Sequence, residues 1–355
     1  MSRFQSEKLS YLTPYTPGEQ PRDMQYVKLN TNESPFPPSK MAIEAAARAA
    51  ERLQLYNDPT CRALTDKLAE VYGVSPDEVI VTNGSDEVLD FAFQAFADAD
   101  VPAVFADITY GFYPVFAQRN GLPYRILPLR EDFTLDITDY FDLGRALIVI
   151  ANPNAPTGIA LSRDEIEQIL VRNPDSVVVV DEAYVDFGGE SCVPLVKKYD
   201  NLLVTQTFSK SRSLAGGRLG FGIGCRERIA ELHTIRYSTN PYNVNAMTQA
   251  AGLGVLCDEE YTKKNCATVV ENRAWTTTEL QARGFEVLPS KTNFVFAKHP
   301  RVSGEVIYTE LKSRGVLVRH FTSERICEFK RITIGSKEQM AALIKTIAEI
   351  LAEKA

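Results

Sequence analysis

Val177-Val178-Val179-Val180-Asp181-Glu182-Ala183-Tyr184 is an apolar run that ends in an acid. Thr207-Phe208-Ser209-Lys210-Ser211-Arg212-Ser213-Leu214-Ala215-Gly216-Gly217-Arg218 sets a lysine among hydroxyls and small residues, with a further basic side chain at Arg218. The spacing between Asp181 and Lys210 suits a strand, a connection and a second strand, so both side chains arrive at one sheet edge.

Working outward, short apolar runs recur at 79–82, 101–105, 123–127, 146–150, 177–180, 202–205 and 219–223, with helical patterns such as 85–97 and 162–171 between them. This alternation predicts an α/β fold with a mainly parallel seven-stranded sheet covered on both faces. In such sheets function gathers at the carboxyl ends of the strands. Polar residues stand at those places: Thr82-Asn83-Gly84-Ser85, Asn152-Pro153-Asn154, Asp181, and Thr207 with Ser209. Residues 1–38 are proline-rich with little periodicity and predict an extended N-terminal arm packing on a small domain. Helices over 40–54 and 60–72 follow, the second stopped by Gly73, inside a large domain spanning 39–243. A long connecting helix over about 244–283 opens a smaller α/β domain, 244–355, with strands at 293–297, 316–319 and 331–334 and helices at 303–313 and 337–353.

A chain of 355 residues is long enough for two cores, and 45% hydrophobic with 24% charged residues is ordinary globular composition. A formal net charge of −7 argues against nucleic acid or an anionic membrane as the main partner. Met1 to Ser6 lacks the apolar core of a signal peptide, and no apolar run approaches the roughly 20 residues of a membrane span. Cys61, Cys192, Cys225, Cys257, Cys266 and Cys327 make no C-x-x-C pair, and His233, His299 and His320 do not cluster with them, so no metal site is expected. Reduced thiols in a cytoplasmic protein are the expectation.

A lysine amine attacks a carbonyl only when unprotonated, a form that neighbouring cations favour. A lone lysine is ordinarily a solvated surface group, and an aspartate after a strand is ordinarily a turn residue. Together, Lys210 for an imine and Asp181 for a pyridinium nitrogen are the two groups that pyridoxal phosphate (PLP) needs from a protein. Tyr184 can donate to the cofactor's phenolic oxygen. Asn83-Gly84-Ser85-Asp86 follows a strand and opens a helix, so free N–H groups and the helix dipole make a phosphate cup; the plain alternative is an N-cap with Ser85 or Asp86 capping. Ser209 and the guanidinium fork of Arg218 are further phosphate ligands. Tyr110 can stack on the cofactor ring, although a loop tyrosine more often simply packs. Arg319 and Arg331, each at the edge of a strand, suit an anionic substrate group; either alone would read as half of a surface ion pair. Gly220, Gly222 and Gly224 follow G-x-G-x-G rather than the dinucleotide pattern, and no helix is predicted after them, so that reading is rejected.

These residues together resemble the PLP-dependent aminotransferases of fold type I. The resemblance covers nearly the whole chain, from Pro14-Tyr15-Thr16-Pro17-Gly18 to Arg331-Ile332-Thr333-Ile334-Gly335. Its most specific pieces are Asp181-Glu182-Ala183-Tyr184, Ser209-Lys210 with Leu214-Ala215-Gly216 and Arg218, and Asn152-Pro153-Asn154-Ala155-Pro156-Thr157-Gly158. Leu29-Asn30-Thr31-Asn32-Glu33 looks like the family's arm motif. The resemblance implies that Lys210 carries the cofactor as a Schiff base and shuttles the proton, that Asp181 pairs with the pyridine nitrogen, and that Tyr184 bonds the phenolic oxygen. It implies Gly84, Ser85, Ser209 and Arg218 at the phosphate, Asp86 and Thr207 beside them, and Tyr110 on the ring. Tyr56, in Leu55-Tyr56-Asn57-Asp58-Pro59, matches a tyrosine that reaches the phosphate across a homodimer interface. Tyr15, Asn32, Arg319 and Arg331 match residues on the substrate side. Within the family the chain is most similar to the branch acting on L-histidinol phosphate, with 2-oxoglutarate and glutamate as the second pair.

Some positions depart from the family pattern. Ala155 stands where an asparagine usually precedes Pro-Thr-Gly and bonds the phenolic oxygen, so either Asn154 turns in or Tyr184 does more of that work. Ser34, Asn57 and Ile108 replace a commoner asparagine and two prolines, and none of these changes removes a catalytic group. An aromatic amino-acid aminotransferase and a threonine-phosphate decarboxylase need the same lysine, acid and arginines. A PLP-binding regulatory module would sit behind a DNA-binding domain, and only a short arm precedes this one. A purely structural protein would leave Asp181, Lys210 and Arg218 unexplained.

Overall fold

The four valines form the middle of strand Val177–Asp181, with Val178 and Val180 in the apolar layer on one face of a sheet and Val179 in the layer on the other. This period of two, with both sides apolar, is the signature of a strand covered on both faces. The structure, a computed structural model, describes residues 3–354; Met1 and Ser2 of the predicted arm and Ala355 at the other end lie outside the described residues.

All seven predicted runs become strands of one sheet, in the order Val79–Thr82, Gly220–Gly224, Leu202–Thr207, Val177–Asp181, Leu147–Ala151, Ala103–Ala106, Tyr124–Leu127. Only Gly220–Gly224 runs against its neighbours. The six parallel strands therefore deliver Thr82, Thr207, Asp181, Ala151, Ala106 and Leu127 to the same edge. Helices Arg62–Tyr72 and Arg163–Arg172 bury Leu64, Leu68, Ile166 and Ile169 on one face. Helices Ser85–Phe96 and Tyr113–Asn120 bury Val88, Phe91, Phe93 and Phe116 on the other.

A helix does open after the glycine strand, Arg226–Thr239, against expectation. Because Gly220–Gly224 is antiparallel, the turn into that helix lies at the sheet edge opposite Asp181. The stretch 244–283 is also not one helix. It divides at Cys257 and Asp258 into Ala246–Leu256 and Glu259–Ala282. Ala251, Val255 and Leu256 of the first pack in the layer that holds Leu64 and Leu68, while Cys266, Val269 and Leu280 of the second pack in a separate cluster with Val295, Val318, Ile332 and Leu343. The two halves thus pack in different clusters, on either side of the break.

The second sheet has the order Val27–Leu29, Val316–His320, Lys330–Thr333, Phe294–Lys298, Glu286–Val287. Its first strand comes from the arm, which pairs in parallel with Val316–His320, Val27 opposite Val316. That three-residue strand lacks enough length to show a periodicity of its own. Among the described residues no helix is long and apolar enough to cross a membrane.

Candidate active site

The edge of the large sheet carries the first half of the site. Asp181 ends its strand and is 6% exposed; burial pushes its pKa up to about 6, against a hydroxyl of Tyr113 that donates to Oδ2 at 2.9 Å and the Ala183 N–H on Oδ1 at 3.2 Å. Tyr113 is fully buried and was not singled out from the sequence; it stands three positions after Tyr110 in an aromatic-dense segment, and nothing in that spacing marks it as a partner of Asp181. On the neighbouring strand, the Thr207 hydroxyl bonds that of Ser209 at 3.0 Å, and Lys210 follows. Lys210 Nζ lies 5.8 Å from the centre of the Tyr184 ring and donates to the Thr31 carbonyl at 3.5 Å.

The residues expected to cup a phosphate lie at the start of helix Ser85–Phe96. Gly84 is the N-cap residue, at φ 82°, and no side chain caps it, so neither Ser85 nor Asp86 plays that part. A Cβ at Gly84 would sit 2.7 Å from Arg218 Nη2, and one at Gly220 would sit 2.2 Å from the Ser85 nitrogen. Only residues without side chains let the guanidinium and the glycine strand come this close to the helix start. Asp86 holds two neighbours: Oδ1 accepts from Tyr110 at 2.9 Å and Oδ2 from Arg218 at 3.1 Å. Burial and the Asp86 charge push the Tyr110 hydroxyl pKa well up, keeping it a neutral donor.

Ser85, Asp86, Tyr110, Asp181, Tyr184, Thr207, Ser209, Lys210 and Arg218 line one cavity of about 150 Å³. The residues present fit a phosphate-bearing pyridine cofactor: uncapped helix N–H groups, a hydroxyl and a guanidinium at one end, a buried carboxylate and a lysine at the other. Asn154 does not join them. Its side chain donates to the Ile108 carbonyl at 2.9 Å and to Thr157 at 3.0 Å, and accepts from Thr109 at 2.8 Å, so both of its donors go to bracing two loops. Of the two alternatives, this structure has the Asn154 side chain turned to these loops rather than lining the cavity. Tyr184 instead has its own partner, the amide of Asn32 at 2.9 Å.

The second half of the site comes from the arm and the small sheet. Tyr15, Asn32, Arg319 and Arg331 line an adjoining cavity of about 390 Å³ that shares Lys210, Tyr184, Tyr110 and Ala155 with the first. Arg319 and Arg331 stand directly opposite each other on antiparallel strands. Like charges in that register are unfavourable unless an anion lies between or beside them. Arg331 donates to the Asn30 carbonyl at 3.0 Å, its buried Nε has no protein partner, and burial lowers its pKa. Arg319 donates to the Thr16 and Pro17 carbonyls at 3.0 and 3.1 Å, tying the arm down. Asn32 is buried, held by Thr333 and Asn293 of the small sheet. Tyr15 packs its ring against Phe112, 5.1 Å between centres. Tyr56 lies apart from both cavities, 85% exposed and stacked on Tyr242 at 4.7 Å.

A sequence profile of aminotransferase class I and II matches residues 24–347. The histidinol-phosphate aminotransferase of Clostridium botulinum (strain Okra / Type B1) is 47% identical over 352 residues, 99% of each chain. That of Marinomonas sp. (strain MWYL1) is 49% identical over 346 residues, 97% of this chain and 98% of the relative. The fold is shared with the crystal structure of histidinol-phosphate aminotransferase from Sinorhizobium meliloti in complex with pyridoxal-5'-phosphate, at a TM-score of 0.83 and 22% identity, covering 93% of this chain and 92% of that one. The profile match and the full-length identity agree with the paired strand ends, the uncapped helix start and the facing arginines: this chain belongs to the aminotransferase class I and II family.

Proposed function

We propose that the chain is a histidinol-phosphate aminotransferase, moving the amino group of L-histidinol phosphate to 2-oxoglutarate to give imidazole acetol phosphate and glutamate. The observation that carries this reading is the pair of adjoining cavities in which one lysine, one buried carboxylate and two facing arginines meet. The names of relatives 47 and 49% identical supply the substrate. PLP is the cofactor, and when bound it supplies an aldehyde for the amine and a ring that draws electrons from the substrate α-carbon.

The side chains do the rest. Backbone N–H groups at Ser85, with Ser209 and Arg218, hold the phosphate. Asp181 holds the ring nitrogen, and a cation against it favours its ionised form over the neutral one that burial promotes. Among the described residues Lys210 is the sole lysine lining either cavity, and its Nζ takes the proton from the substrate α-carbon. Tyr184, steadied by Asn32, bonds the phenolic oxygen in place of the usual asparagine. Arg319 and Arg331 orient phosphate in one half-reaction and carboxylate in the other.

Tyr56 is exposed because a second copy uses it: the working unit is a homodimer with Tyr56 reaching the neighbour's phosphate site. Mixing an inactive Tyr56→Ala variant with an inactive Lys210→Ala variant restores activity in mixed dimers on this reading, and no recovery after demonstrated subunit exchange would refute it. The chain divides into an arm (1–38), a large domain (39–243) and a small domain (244–355) whose first helix, Ala246–Leu256, packs on the large one. Six unpaired cysteines, three of them buried, support a reducing cytoplasmic setting.

The deciding experiment adds L-histidinol phosphate, phenylalanine and threonine phosphate separately to the holoenzyme without oxo acid and identifies the products. Rapid amino transfer from histidinol phosphate alone is expected. Faster transfer from phenylalanine would make the protein an aromatic aminotransferase, and carbon dioxide from threonine phosphate would make it a decarboxylase.

A further inference from the structure

Behind the site, on the face of the sheet turned away from the cavity, lies a chain of polar contacts that the reaction does not use. Successive residues of a strand point to opposite faces. Asp181 and Thr207 face the cavity, so Glu182 and Gln206 face away. Glu182 is 1% exposed and accepts from the Ser191 hydroxyl at 2.7 Å, the Cys192 N–H at 2.5 Å and the Gln206 amide at 2.8 Å. Gln206 in turn accepts from the Tyr72 hydroxyl at 2.5 Å. Tyr72 accepts from Arg212 Nη2 at 2.9 Å, and Arg212 Nη1 reaches Asp186 Oδ2 at 3.0 Å. Ser211 also bonds Asp186. The Arg212 side chain is 9% exposed, and its guanidinium lies over the rings of Phe208 and Phe221 at 5.2 and 5.9 Å.

The geometry of this loop of contacts has a consequence for the site. It begins one residue after Asp181 and ends two residues after Lys210. Asp186 is on the turn that carries Tyr184, and the Val185 N–H bonds back to the Glu182 carbonyl at 3.2 Å. The two segments are therefore fastened to each other at two levels, through Glu182–Gln206 at the strand ends and through Asp186 with both Ser211 and Arg212 further out. A buried guanidinium needs its full set of acceptors, and a partner lost from a dry network leaves the rest uncompensated. Arg212 supplies what no shorter or single-pronged side chain can: two donors in a rigid plane, one for each end of the clamp.

We infer that Arg212, acting through Asp186 and Tyr72, is a positioning residue that fixes the lysine-bearing segment against the aspartate-bearing segment from the far side of the sheet. This rests on the roles given above to Lys210 and Asp181. Neither Arg212 nor Tyr72 touches the cavity that holds those groups. Instead both line a separate space of about 590 Å³ between helices Arg62–Tyr72 and Glu259–Ala282.

The test uses Tyr72→Phe, which deletes one hydroxyl and keeps the ring against Phe221, and Arg212→Lys, which keeps the charge and loses the fork. Two measurements are made on each. Amide hydrogen exchange on the cofactor-free protein follows the peptides spanning 181–188 and 207–214. Spectroscopy and kinetics on the holoenzyme follow the pH midpoint of the visible cofactor band, kcat and KM. Both variants should exchange severalfold faster in both peptides together, shift the band midpoint by about half a pH unit, and lower kcat about tenfold with KM within twofold, since small misplacement of reacting groups falls on the chemical step. Unchanged exchange in the two peptides would overturn the clamp. Faster exchange with an unmoved band and unmoved kcat would leave the contacts merely structural and overturn the positioning role. A wild-type protein without a visible band would instead overturn the reading of Lys210, while the exchange data would still decide whether the two segments are coupled.

Discussion

Asp181 and Lys210 reach the cleft from neighbouring parallel strands, paired from Val178 with Leu202 to Asp181 with Thr205. The arginine side of the same cleft is put together across the length of the chain: Arg319 bonds Pro17, 302 positions away, and Asn32 bonds Thr333, 301 positions away. One wall is a rigid sheet edge whose parts are close in sequence. The other is an arm laid along a small sheet. On the proposed reading, chemistry that needs fixed geometry falls to the first, and recognition of an anion, which tolerates some movement, falls to the second.

Removing Lys210 should produce the largest effect. Lys210→Ala is expected to lose about a thousandfold or more in transamination rate, the range for a positioned acid–base group. A single-turnover rate within tenfold of wild type would remove the rigid wall from the reaction.

The next effect concerns the energy stored at Asp181. Its folded pKa is raised from 3.8 to about 6 by burial, so the folded state holds its proton more tightly than the unfolded one. That contribution to stability is full below pH 3.8 and is lost as pH rises through 6. The cofactor-free protein should therefore lose on the order of 3 kcal/mol from this group between pH 4 and pH 8, read by urea unfolding. Asp181→Asn should flatten that part of the profile. An unchanged pH dependence would mean that Asp181 is not the strained group on this wall.

Breaking the arginine wall should cost less and differently. Arg331→Ala is expected to raise KM about ten- to a hundredfold for both amino donor and oxo acid, with kcat less affected. An effect on only one substrate would split the shared anion site, and an effect on neither would separate the small sheet from the substrate. The smallest change expected is Tyr184→Phe, which deletes the hydroxyl joining the two walls through Asn32. A loss of about fivefold in kcat/KM, near 1 kcal/mol, is expected. A loss as large as that of Lys210→Ala would show that the joint itself carries chemistry.

Much of the rigid wall was legible before any coordinates, because its signals are local. Four valines, an acid at their end, glycines before a helix, and serine beside lysine each act on their immediate neighbours through strand periodicity and backbone freedom. The seven runs became the seven strands for the same reason. The long stretch after 244 reads as one helix because no glycine or proline stands at Cys257 and Asp258, yet its two halves have different packing partners. The partners of Asn154 were not legible, because its sequence place near the usual asparagine says nothing of the three bonds that Ile108, Thr109 and Thr157 offer it.

What the sequence by itself determined, then, is the alternation of elements, the edge at which they end, and the chemical types gathered there. The tertiary structure alone decided that Tyr113 steadies Asp181, that Arg319 ties down the arm, and that Arg212 is linked to Glu182 through Tyr72 and Gln206. Each of these is a hydrogen bond between groups far apart in the chain. Its existence depends on how buried surfaces meet and on which buried polar atoms they bring within reach of one another, and neither condition is written in the neighbours of any one residue.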